Sequence, residues 1–304
     1  MPTKFLETLG SKLAQKWVST ILTPAFLFWI GGLGAWIWRN DWRSLETWLT
    51  QPSQAAQMAL LVGWLLVILI SALLIKRFDL FVLRLLEGYW PPYLFWLKSF
   101  FLRRQHKRIK NLQTKFQQLA LKYFQNALTV EESDQFVRLD LQKRRIPNYI
   151  MPTELGNILR AAEEKPKNKY GLDAIICFPR LWLLLPENVQ TELSEARTQL
   201  NTGARIWLWS VLFLVWTPFA LWAIPVSLIS AYLSYRWTID VAIVYGELIE
   251  SVFDLYRTLL YKSLRFPLPS SPQEEKEMGQ KVTQYLWGRD FKQLNLTFTD
   301  EQSS

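Results

Sequence analysis

Charged residues are unevenly spaced along this chain, and the gaps between them predict its elements. Thr20 to Trp38 ("TILTPAFLFWIGGLGAWIW") runs nineteen residues without a charge, and Gln57 to Ile75 ("QMALLVGWLLVILISALLI") does the same. At about 1.5 Å of rise per residue, each makes a helix of about 28 Å, close to the hydrocarbon thickness of a bilayer. The first starts too late and runs too long for the apolar core of a signal peptide, so it is expected to be retained. Ile206 to Tyr235 is uncharged over thirty residues and interrupted by Pro218 and Pro225. As one helix it would be about 45 Å long, which exceeds an upright crossing. A hairpin is expected, with its turn near "WTPFAL" and with Arg205 and Arg236 reaching the aqueous surface at its two ends. The alternative is one tilted, kinked crossing.

Between these blocks the pattern is mixed. Phe78 to Leu86 can prolong the second apolar helix until Gly88 and the Pro91–Pro92 pair break it. "YLFWLKSFFLRR" is aromatic, then basic, as in a segment lying in a membrane interface. Asn111 to Gln142 reads as helical. Thr153 is an N-cap signal for a short helix to Glu164, which Pro166 and "KNKYG" are expected to end. "DAIICFPRLWLLLP" is an apolar run cut by Pro179 and suggests a strand or a buried extended segment against the membrane. Pro186 and Glu187 open a further helix that continues into the third apolar block. Later, Ile249, Val252, Phe253, Tyr256, Leu259 and Leu260 form one stripe, and Glu247, Glu250, Asp254 and Arg257 form another. "PLPSSPQEEKEMG" reads as a linker, "QKVTQYLWGRDF" as a closing helix, and the tail as disordered.

The resulting expectation is a mainly α, polytopic helical membrane protein with about four transmembrane helices and a helical cytoplasmic domain. Its segments are 1–76 (tail and transmembrane hairpin), 77–200 (basic cytoplasmic domain), 201–245 (second hairpin) and 246–304 (cytoplasmic C-terminal helices and tail). Composition agrees with this: half of the residues are hydrophobic, and sixteen are Trp, a residue favoured at headgroup level.

Charge then sets orientation. Residues 76–204 hold 21 Lys or Arg against 13 Asp or Glu, whereas the 39–56 loop holds only Arg39 and Arg43. The positive-inside rule places the N-terminus and the middle segment in the cytoplasm; the hairpin reading returns the C-terminus there, whereas a single crossing would put it outside. The net charge of +9 suits attraction to anionic lipid headgroups, and no nucleic-acid motif accompanies it. The expected partners are the bilayer, its anionic headgroups, and a second copy or another protein.

Cys177 and His106 are the only residues of their types. An intrachain disulfide and a Cys-based zinc site are therefore excluded, as are His-rich metal sites. His106 lies in the basic run "RRQHKRIK". No phosphate-binding loop, dinucleotide fingerprint, nucleophile elbow or HExxH occurs, so neither a cofactor nor a catalytic residue is assigned.

Four stretches, "LLEGYW" (85–90), "PTELGNILRAAEE" (152–164), "YGLDAIICFPRLWLLLPE" (170–187) and "FDLYRTLLYKSLRFPLP" (253–269), occur in an order that resembles a group of bacterial multi-pass integral membrane proteins. The resemblance covers roughly Leu80 to Trp287. It implies an inner-membrane protein and no particular reaction.

Thr153, Asn157, Arg160 and Glu164 share one helix face by spacing. With Tyr170, Asp173 and Arg180 they could form an anion or headgroup pocket, or a hydrogen-bonded structural buckle. Glu247, Glu250 and Asp254 could offer oxygens to a hard cation or a proton relay, or else pair with the basic middle segment. A non-enzymatic membrane scaffold with a cytoplasmic docking domain fits these features best. A channel or transporter is the alternative, but only Thr23, Ser71, Ser210, Thr217 and Ser227 are polar within the apolar blocks. A membrane enzyme acting on a lipid-linked substrate is the third reading.

Overall fold

The computed structural model describes residues 22–50 and 52–288, together with Phe298. The expected N-terminal tail and C-terminal tail lie outside the described residues. The fold is mainly helical, with no strand among the described residues. The helices are α1 (Thr23–Asn40), α2 (Trp42–Thr50), α3 (Gln54–Arg77), α4 (Asp79–Glu87), α5 (Phe95–Phe124), α6 (Val130–Lys143), α7 (Glu154–Tyr170), α8 (Ala174–Trp182), α9 (Glu187–Leu212), α10 (Ala223–Ser263) and α11 (Pro272–Leu286). The chain divides into two compact units. One comprises the described residues up to Arg84 with Gln199–Thr238. The other comprises Leu85–Thr198 with the described residues from Ile239 onward.

In the first unit, Ala25, Ile68, Ala72 and Trp209 are buried together, with Phe28, Trp29 and Leu212 packed around them. The Trp29 indole N–H donates to Ser71 Oγ at 3.0 Å. Gly31 and Gly32 leave a notch on α1 that the rings of Phe213 and Trp216 fill, while Gly34 faces open space. The glycine cluster thus serves a contact within the chain. Between α9 and α10, the Phe213–Trp216 3-10 turn and the residues after it reverse the chain. Ser227 Oγ then donates to the Ser210 carbonyl at 2.7 Å, and Gly203 faces Thr238 too closely for any Cβ. The hairpin geometry expected near "WTPFAL" is present. Among the described residues one helix, α3, is by itself long and apolar enough to cross a membrane.

Two expectations for this unit change. α3 is not simply prolonged: the chain turns at Phe78, and Asp79 opens a new helix. Arg205 does not reach out to water. It is 5% exposed and holds Asp79 with two hydrogen bonds, one of them Nε to Oδ1 at 3.0 Å. A charge this buried needs a partner, and the break at Phe78 places one.

In the second unit, Leu172, Cys177, Leu181, Leu193, Phe253, Tyr261 and Val282 are almost wholly buried in one core. Helix α8 replaces the expected strand or extended segment. Asp173 caps it by accepting from Ile175 N at 3.1 Å, and Ala174, Cys177 and Leu181 then fall on one face toward the core. The flanking residues are also apolar, which hides that period from the sequence.

Helix α7 runs through the buried Pro166 and stops at Gly171, whose φ of 73° gives a left-handed cap that donates to the Lys167 carbonyl. The helical stretch expected over Asn111–Gln142 is two helices. α5 ends at Phe124, and Thr129 with Glu132 forms a capping box for α6. Phe116 and Tyr123 stack on Phe136 across this pair, at 5.1 and 5.2 Å. Most of the expected "PLPSSPQEEKEMG" linker is helical: α11 starts at Pro272 and is capped by Ser271.

Candidate functional site

Most residues of the expected pocket or buckle are engaged within their own segment, and Tyr170 reaches across to α10. Thr153 Oγ1 accepts from Gly156 N at 3.0 Å and caps α7. Asn157, 6% exposed, accepts from Met151 N at 2.7 Å and donates to Met151 O at 3.3 Å, which ties the preceding loop to the helix. Gly156 lies against the Glu87 carbonyl, leaving no room for a side chain. Arg160 pairs with Glu164 one turn on, at 3.1 Å. Asp173 is consumed in capping α8 and in a 3.3 Å contact with Lys167. Arg180 donates to the Ile176 carbonyl of its own helix at 2.7 Å.

The acidic stripe of α10 is likewise a structural seam. Arg145 reaches Glu247 at 3.2 Å, Lys165 pairs with Glu250, and Lys169 donates to both oxygens of Asp254 at 3.0 Å. The Tyr170 hydroxyl also donates to Asp254, at 2.6 Å. Burial opposes ionisation of Asp254, but the bonds from Tyr170 and Lys169 outweigh it and hold this carboxyl below its ordinary range. Arg257 lies 4.1 Å over the Tyr170 ring and pairs with Glu275 of α11 at 2.7 Å. Three cations thus neutralise the three carboxylates. No cluster suited to a metal ion occurs among the described residues.

Open chemistry lies elsewhere in the second unit. Two adjoining hollows of about 270 and 330 Å³ share Phe178, Arg197 and Tyr245. Together they fall within the size of small-molecule sites, roughly 300–1,000 Å³. One is also lined by Glu87, Glu163 and Ile175, the other by Trp182 and Leu193. α7 supplies Glu163, α8 the aromatic wall, α9 Arg197, and α10 Tyr245.

Among the described residues Glu163 makes no ion pair or hydrogen bond, and Arg197 makes no ion pair. The Arg197 guanidinium sits 5.7 Å from the Tyr245 ring centre. Burial pushes the Glu163 carboxyl above its ordinary range, against the lowering effects of Arg160 and Arg197. Cys177 is no nucleophile for this cleft, since burial raises its thiol to about 11.

The sequence reading did not find this constellation. Its members stand at positions 87, 163, 197 and 245, with no short-range spacing to link them. Comparisons of the chain with protein-family models, with curated proteins and with solved structures return no match.

Proposed function

We propose that this chain is a non-enzymatic, multi-pass integral membrane scaffold of the bacterial inner membrane, with its second unit and both termini in the cytoplasm. The observation that carries the reading is the polarity of the first unit. Its outer positions are large and apolar: Leu61, Leu65, Leu228 and Leu233 are each about 60% exposed. Its interior instead buries Ser210, Ser227, Ser234, Thr238 and Arg205. Only 11% of the apolar window of α3 is buried, which argues against the core helix of a water-soluble protein. Such a surface suits lipid.

The spacing of the polar anchors supports the same reading. At one end Arg39 donates to the Pro218 carbonyl at 2.6 Å, and at the other Arg205 holds Asp79. Arg39 stands ten positions along α1 from Trp29, and the end of α3 at Arg77, two residues before Asp79, stands six from Ser71. With Trp29 bonded to Ser71, these sixteen positions give about 24 Å of helix rise, comparable to the roughly 30 Å of a hydrocarbon core.

Helix α5 carries eight Lys or Arg and no Asp or Glu, and its first turns expose Phe95, Trp96 and Phe100. That suits contact with anionic headgroups. Three of the five hydroxyls available to a solute path are engaged with helix carbonyls: Ser71 with Ile68, Ser210 with Ile206, and Ser227 with Ser210. The resemblance to the bacterial multi-pass group fits this view, because Thr153, Gly156 and Asn157 in its core motif all have packing or capping roles.

The test is the mass and composition of the tagged protein extracted in mild detergent, with single cysteines introduced at exposed positions to report sidedness. A defined oligomer or a stable complex supports a scaffold. Release by salt without detergent, or labelling of the 153–180 stretch from outside the cell, removes the reading.

A further inference from the structure

The cleft on α7, α8, α9 and α10 holds a carboxylate and a guanidinium that do not pair with each other, and a second carboxylate, Glu87 of α4, also lines it. Glu163 and Arg197 both line it, yet they form no ion pair, so their charged atoms stand more than 4.0 Å apart. A partly buried carboxylate with no ion pair, as Glu163 is, is less favourable charged than in water, and a cation that joins it relieves this. The upward push that burial gives the Glu163 carboxyl has the same cause. Arg197 presents a guanidinium fork suited to phosphate or carboxylate oxygens. Ile175, Phe178 and Trp182 supply an apolar wall beside these groups, and Ile175 is largely exposed.

We propose that this cleft binds the zwitterionic headgroup of an amphiphile, with its phosphate on Arg197, its primary ammonium on Glu163, and its chain along Phe178 and Trp182. A purely anionic headgroup would leave Glu163 unpaired and next to like charge. A quaternary ammonium has no N–H to donate to the carboxylate. Of the aromatic faces that could otherwise hold it, Tyr245 already has Arg197 over it, and Phe178 and Trp182 carry the chain. The inference rests on the membrane reading for the source of the ligand, a bilayer lipid. The headgroup chemistry does not depend on that reading, and free O-phosphoethanolamine is the other source.

The experiment titrates the full chain in detergent with three probes: a lauroyl lysophosphatidylethanolamine, the matching lysophosphatidylglycerol, and O-phosphoethanolamine. Bound ligand is read by native mass spectrometry. The ethanolamine lysolipid is expected to bind best. Glu163→Gln should weaken it about tenfold while leaving the glycerol-headed lipid unchanged, and Arg197→Gln should weaken both lipids about tenfold or more. Should Arg197→Gln fail to fold, the isosteric Glu163→Gln decides alone, because its effect is selective between headgroups. Equal binding of the two lysolipids by the unaltered protein, or indifference to Glu163→Gln, overturns the inference. If O-phosphoethanolamine binds as tightly as its lysolipid, the headgroup site stands with a soluble ligand, and the membrane reading is left to its own extraction test.

Discussion

Helix α7 handles charge in opposite ways on two of its faces. Toward α10, Lys165 and Lys169 meet Glu250 and Asp254, and every carboxylate of the seam has a cation. Toward the cleft, Glu163 has none, although Arg197 lines the same hollow. Both faces are partly buried and built from the same residue types. What separates them is compensation. Pairs that neutralise each other fix helix register and leave nothing for a ligand. An acid and a base held apart leave two demands that an incoming molecule can meet.

The contrast breaks hardest where the seam is best buried. Arg257 and Glu275 are 20% and 14% exposed, and Arg257 also lies on the Tyr170 ring. Glu275→Ala leaves the guanidinium in place without its counter-ion, and we expect a loss of about 3 kcal/mol from the denaturation midpoint. A loss below about 1 kcal/mol would mean that the pair behaves as a solvated one.

Next comes Asp254→Asn. The acid keeps its charge through Tyr170 and Lys169, so its carboxyl titrates below the ordinary range. A depressed folded pKa adds stability that is complete above the unfolded value of about 3.9 and fades as pH falls through the folded value. At 35% exposure the discounted cost of the change is about 1 kcal/mol at pH 7. The gap between the variant and the parent should close below about pH 4. A gap that persists in acid would place the effect in packing.

These differences also explain what could be read in advance. The acidic stripe was legible, because residues three or four apart on one helix must share a face. The same holds for the Thr153 cap, the start of α9 and the turn between α9 and α10, each marked by local residues. The two sets of polar residues differ for a physical reason. Thr153, Asn157, Arg160, Asp173 and Arg180 are close in sequence, but local caps and i,i+4 bonds use their polar atoms. Glu163, Arg197 and Tyr245 come together only through packing of three helices, and nothing local signals it. Helix α8 was missed because a continuous apolar run carries no period.

The cleft face predicts the reverse sign. Glu163 has its folded pKa raised by burial. Between the unfolded value of about 4.3 and the folded value, the native state binds the proton more tightly, so stability falls as pH rises across that window. Glu163→Gln removes the charge and keeps the shape. Without ligand it should raise the melting midpoint at pH 7, and the gain should vanish below about pH 4. A loss of stability at pH 7 would show that Glu163 has a stabilising partner after all, and would count against the site.

The smallest effect is expected at the exposed end of the seam. Glu247 is 60% exposed and meets Arg145 at 3.2 Å, with that side chain 30% exposed. Water screens such a pair, and holding two long side chains together costs entropy, so Glu247→Gln should change stability by less than about 0.5 kcal/mol. Any residual difference should shrink further in 1 M salt, where screening acts over about 3 Å. Measured beside Asp254→Asn and Glu275→Ala, this variant turns the seam into a graded series in which burial is the main variable. If Glu247→Gln instead cost as much as Asp254→Asn, pairing alone would set the energetics. Compensated charges would then not stabilise in proportion to their burial, and ligand binding alone would decide the role of the unpaired Glu163.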